Sequence, residues 1–158
     1  MSYTIIVGNA VPKQEKSFLP RLVSFWEVEN LYLDYAPAFP NDCCNHKNSR
    51  SPSYTGWHDF CINTNLYEFF YNERGHLRMG HPGCWGISKK DADIVTVALE
   101  NYKRHNKTGL PPGFEDENDV IKDNNIKNYD YNLARLIWLE WWMQWAVKNC
   151  ETPAIQNY

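Results

Sequence analysis

Asp130 to Asn149 reads DYNLARLIWLEWWMQWAVKN, and this stretch decides the fold class. At 100° per residue, Trp138, Trp141, Trp142 and Trp145 stand at i, i+3, i+4 and i+7, one continuous indole stripe down a helix. Leu133, Leu136, Met143 and Val147 fall on the other side, and Asp130 is placed to cap the first turn. A helix apolar on two faces belongs at the centre of a core or buries its second face against another subunit, so a homo-oligomer is expected. Arg135, Glu140 and Gln144 interrupt the run from Leu133 to Val147, which is shorter than the roughly 18 residues a membrane span needs. No membrane partner is expected.

Working back from this helix, Ser88-Lys-Lys-Asp91 forms a capping box in its Asp form. The helix it opens runs to about His105 and places Ala92, Ile94, Val95, Ala98, Leu99 and Tyr102 on one stripe. Tyr54 to Tyr71 carries Trp57, Phe60, Cys61, Leu66, Phe69 and Phe70 and reads as one helix, or two broken near Asn63-Thr64-Asn65. Arg74 to Gly86 reads as a glycine-punctuated turn region. At the other end, Ser2 to Val7 reads as a strand closed by a turn at Gly8-Asn9. A second strand region runs from Leu22 to Tyr35, where Leu31, Leu33 and Tyr35 alternate with Tyr32 and Asp34, until Pro37 and Pro40 stop it. Ala36 to Ser53 reads as a long loop. The expected fold is therefore α+β: a small antiparallel sheet from the N-terminal third, packed by about three helices including the Trp-rich C-terminal one. The whole chain, 1–158, reads as a single domain.

Composition agrees and excludes several classes. With 158 residues, 43% of them hydrophobic, the chain can bury about 70% of its unfolded surface and needs no metal or disulfide to fold. A formal charge of −3 leaves no basic face for nucleic acid. Pro111-Pro112-Gly113 breaks the chain, and the acidic residues from Glu115 to Asp130 read as a solvated connector. The N-terminus has no basic region before its short apolar run, so no secretory signal is read. Five cysteines, an odd count, point to reduced thiols in a cytoplasm.

Chemistry-bearing patterns are few. His58-x-x-Cys61 and His81-x-x-Cys84 have the donor types of an N2S2 zinc site, which keeps open a zinc-stabilised protein or metalloenzyme built on those four residues. Cys43 and Cys44 are adjacent and read as loop residues. No Gly-x-Ser-x-Gly, phosphate-binding loop or dinucleotide fingerprint occurs, so no catalytic residue and no cofactor is assigned. The stretch from Lys47 to Trp57 mixes cations, small hydroxyls and aromatic rings at a loop-to-helix junction, where a helix N-terminus beside an arginine suits phosphate or carboxylate. The turn from Arg78 to Trp85 repeats those ingredients. The candidate ligand set is Arg50 and Arg78 for charge, Ser53 at the helix start, Tyr54 and Trp57 for stacking, and His81 for a hydrogen bond. Together they suit a small anionic, nucleotide-like ligand.

The C-terminal helix, Ser51-Pro-Ser-Tyr-Thr-Gly-Trp-His-Asp-Phe-Cys61 and His81-Pro-Gly-Cys84 make residues 50–158 resemble small uncharacterised proteins of tailed bacteriophages. The resemblance implies a protein of the host-cell cytoplasm, made during infection, that counters host defence by sequestering a nucleotide-derived immune signal. The alternative it implies is an inhibitor of a host defence or regulatory protein, acting through the acidic segment or the tryptophan stripe.

Overall fold

A computed structural model describes residues 1–13, 26–39, 44–106 and 130–158. Its elements are β1 (Ile5–Pro12), β2 (Trp26–Val28), β3 (Ser49–Arg50), α1 (Tyr54–Asn63), α2 (Tyr67–Phe70), β4 (Gly83–Gly86), α3 (Lys89–Asn106), α4 (Tyr131–Asn149) and β5 (Pro153–Asn157). The class is α+β. Cys43, Pro40, the acidic connector up to residue 129 and the start of the second strand region lie outside the described residues.

α4 is the axis of the core. The Asp130 carboxylate accepts from the Leu133 backbone N–H at 2.9 Å and so ties down the first turn. Trp138 and Trp142 from the indole stripe are fully buried, and so are Leu133, Leu136 and Met143 from the other side. Both faces are therefore used within one chain along most of the helix, while of the residues on its two apolar stripes Trp141, Trp145 and Val147 remain half-exposed. α3 packs antiparallel beside it, since Tyr102 donates to Asp130 while Thr96 donates to Glu140. The capping box at its start is formed: Ser88 N donates to Asp91 Oδ2 at 2.7 Å, and Asp91 N to Ser88 Oγ at 3.3 Å. Ser88→Ala removes the reciprocal half, which should lower stability by about 1 kcal/mol and the melting temperature by about 3 °C. Thermal denaturation followed at 222 nm checks this. Ile94 departs from the expected stripe and faces solvent.

The sheet is antiparallel throughout, in the order β2-β1-β5-β4, with β3 also on β1. One row of partners runs Arg50–Ile5–Asn157–Gly83. Alternation then sends Ile5, Val7 and Ile155 into the helical core, and Ile6, Ala10 and Ala154 to the opposite face. β2 curls over that second face, where Val28 N donates to the Gln156 side-chain oxygen at 2.6 Å.

Four sequence expectations are corrected. β1 does not turn at Gly8-Asn9 but runs through it. Gly8 is there because other chain segments come close: a Cβ would sit 3.1 Å from Asn48 Nδ2 and 3.3 Å from Val28 Cγ1. The alternation from Leu31 to Tyr35 does not form a ladder strand. It marks half-burial against the core, with one isolated bridge, Tyr32 to Lys47, and a turn closed by Ala36 N on Leu33 O. The 36–53 loop contains β3 and is pinned from within by Asn48, a buried amide that donates to Val7 O and Glu29 O. The turn region before α3 ends in a strand, β4, that pairs with β5.

Candidate functional site

The α1 N-terminus, the turn before β4 and the end of β5 meet at one place on the surface. Ser53 is extended and its hydroxyl accepts from Gly56 N at 3.0 Å, so α1 starts there and Tyr54 stands in its first turn. The Tyr54 hydroxyl lies 3.0 Å from His81 Nε2. His81 sits in the turn between Gly80, at φ 80°, and Gly83, and its peptide bond to Pro82 is cis. Its other ring nitrogen, Nδ1, is 3.2 Å from Asn157 Oδ1. Asn157 is fully buried, and its amide nitrogen donates to Gly80 O at 2.8 Å.

That last bond fixes the chemistry of the whole chain of contacts. With Nδ2 used on a carbonyl, Asn157 presents Oδ1 to the imidazole, so His81 Nδ1 must donate. In the neutral ring Nε2 is then an acceptor, and the Tyr54 hydroxyl donates to it. Tyr54, His81, Asn157 and the Gly80 carbonyl form one directed hydrogen-bond line that starts at the surface and ends in the sheet.

Aromatic rings frame this line. Tyr3, just ahead of β1, lies against Tyr54 with centroids 4.3 Å apart and meets His81 edge-on at 5.0 Å. The Tyr71 hydroxyl is hydrogen-bonded to Tyr3. Tyr67 stacks on Tyr71 at 4.8 Å, and His58 is edge-on to both. Burial pushes the Tyr3 phenol above its ordinary value, and burial likewise raises Tyr71. These two phenols are neutral near pH 7, which makes the patch aromatic and hydrogen-bonding.

The candidate residues divide. Ser53, Tyr54 and His81 come together. Trp57 is excluded from ligand stacking because its ring is fully buried between Phe60 and Phe70. Arg50 shares a row and a sheet face with Asn157 but stands two strand spacings away, about 10 Å. Its guanidinium lies over the rings of Phe39 and Trp138. Arg78 flanks the aromatic band, with Nε donating to the carbonyls of Glu68 and Tyr71 and no carboxylate partner among the described residues. Tyr3, Tyr71 and Asn157 were missed. The signal for Tyr3 was its alternation with Ile5 and Val7, which puts it on the same sheet face.

The zinc reading is corrected. His58, Cys61, His81 and Cys84 do not converge, and no group of three or more His, Cys, Asp or Glu that suits a metal occurs among the described residues. Cys61 is buried in the core, where desolvation raises its thiol, while Cys84 packs on the opposite sheet face. Cys61, Cys84 and Cys150 carry free thiols. Among the described residues no helix is long and apolar enough to cross a membrane.

The chain matches no protein-family model, no curated protein and no solved structure.

Proposed function

We propose that this chain is a non-enzymatic ligand-binding protein that holds a small, ring-bearing anion of nucleotide type on the Tyr3–Tyr54–His81 surface. The observation that carries the reading is the directed line from Tyr54 through His81 to the buried Asn157. A buried amide that orients an exposed imidazole is a pre-organised recognition group, since its geometry is set before any ligand arrives. Tyr3 and Tyr54 supply flat aromatic area for a base. Arg78 supplies a cation whose Nε is held by the carbonyls of Glu68 and Tyr71, and in this reading its outer nitrogens take the anionic group. The resemblance to tailed-phage proteins supports sequestration of a nucleotide-derived immune signal as the biological use.

Titration calorimetry with AMP, ADP-ribose and a cyclic dinucleotide tests this. At least one should bind, and His81→Ala should weaken that probe about tenfold or more, because one hydrogen-bonding group and the orientation of a second are lost together. Tyr54→Phe should weaken it less. Binding of equal strength in His81→Ala would place the ligand elsewhere on the molecule.

A further inference from the structure

The solvent side of α4 carries a groove of about 510 Å³ that is separate from the Tyr54–His81 surface. Glu140, Trp141, Gln144, Trp145 and Lys148 line it, with Lys89 of α3 at one end. Large apolar groups stay accessible along the groove: Trp141, Trp145 and Val147 are half-exposed, and Val97, one turn after Asp93 on the neighbouring α3, is 53% exposed. Isolated exposed apolar residues are ordinary, but two tryptophans and a valine lining one groove mark an interface.

The polar seam between the two helices is already satisfied within one chain. Lys89 pairs with Asp93 and donates to Gln144 Oε1 at 3.2 Å. Gln144 Nε2 donates to Asp93 Oδ1 at 3.1 Å and to Thr96 Oγ1 at 2.9 Å, and the Thr96 hydroxyl donates to Glu140 Oε1 at 2.8 Å. A partner that covers this seam meets polar groups that already bond one another, which lowers the cost of drying it.

The charges choose the occupant. Glu140 precedes Gln144 by one turn and Lys148 follows it by one turn, both on the groove face. When two such helices cross antiparallel about Gln144, each Glu140 stands opposite the other copy's Lys148, and Trp141 stands opposite Val147. An isologous contact demands this self-complementary pattern. We propose that a second copy of this chain covers the α3–α4 face, with the two α4 helices antiparallel about a twofold axis at Gln144. Each face is about 27 Å long and two helices wide, so full contact covers roughly 1,000 Å² over both copies, at the lower end of specific assemblies.

Sedimentation equilibrium of the full chain tests the proposal. Wild type should sediment as a dimer of the 18.6 kDa chain at tens of micromolar. Lys148→Glu, at an exposed position, should raise the dimer dissociation constant tenfold or more, because it sets Glu140 against a second carboxylate across the axis. The charge-swapped pair Glu140→Lys with Lys148→Glu should restore it. Val97→Glu on α3 provides an independent break at an exposed residue, with circular dichroism confirming that it folds. A wild type that stays monomeric at 100 µM overturns the proposal, as does a dimer indifferent to Lys148→Glu and Val97→Glu.

Discussion

A chain ending at Thr152 is expected to lose its cooperative unfolding transition altogether. The six residues removed contain β5, which pairs with β1 from Ile5↔Asn157 to Asn9↔Pro153 and with β4 from Gly83↔Asn157 to Gly86↔Ala154. Ala154, Ile155, Gln156 and Asn157 are all 3% exposed or less. Their loss strips one side of β1, leaves β4 with no ladder partner among the described residues, and opens a hole in the helical core where Ile155 stood. Removing a buried isoleucine side chain alone costs about 2–5 kcal/mol, and each lost ladder bond adds about 1 kcal/mol. Against a total stability of about 5–15 kcal/mol, little folded protein should remain. Urea unfolding followed by tryptophan emission and near-ultraviolet dichroism measures this. A sigmoidal transition within about 1 M of the full chain's midpoint would show that β5 is dispensable.

Gly83→Ala should be the most damaging single substitution and should take the site with it. A Cβ at Gly83 would sit 1.6 Å from the Met79 carbonyl oxygen and 2.6 Å from its carbon. Both are backbone atoms of the same turn, so no side chain can swing aside, and the turn holding His81 must open. Overpacking of this kind costs about 3 kcal/mol or more, a fall in melting temperature of about 10 °C for a chain of this length. Gly86→Ala lies in the same strand with its nearest neighbour at 4.0 Å and serves as the control. It should melt close to wild type. Equal melting temperatures for the two variants would contradict the turn geometry.

What could be read from residue patterns depended on how far apart the interacting partners lie. Helices carry their own signature: the Asp130 cap, the indole stripe and the Ser88–Asp91 box all stand within one turn or one helix, and α3 and α4 match their expected bounds closely. α1 and α2 break where Asn63-Thr64-Asn65 suggested. Strand pairing is non-local and was harder to see. β5 follows α4 directly and has four buried residues, two of them polar, so neither hydrophobic alternation nor turn residues announce it. Gly8-Asn9 has turn composition, but the glycine is required by the approach of Asn48 from forty residues away. Leu31 to Tyr35 alternates because one side touches the core, a pattern that burial alone produces without a ladder.

The site shows the same division. Ser53, Tyr54 and His81 stand at a helix start and a glycine turn, where local rules apply. Asn157, which orients the imidazole, is 76 residues from His81 and reaches it only through the β4–β5 pairing. Trp57 was misplaced because α1 alone does not reveal that Phe70 closes over its outer side. The two histidine–cysteine pairs have plausible zinc spacing, yet sheet alternation and core burial send their side chains apart.

A ligand held as proposed must perturb the Tyr54–His81–Asn157 line. The most direct measurement follows the His81 ring nitrogens and the Asn157 side-chain amide by ¹H–¹⁵N nuclear magnetic resonance while AMP, ADP-ribose or a cyclic dinucleotide is added. Saturable shifts at both residues, absent in Tyr54→Phe or reached only at higher probe concentration, are predicted. Shifts confined to other parts of the chain, or none at millimolar probe, would contradict it.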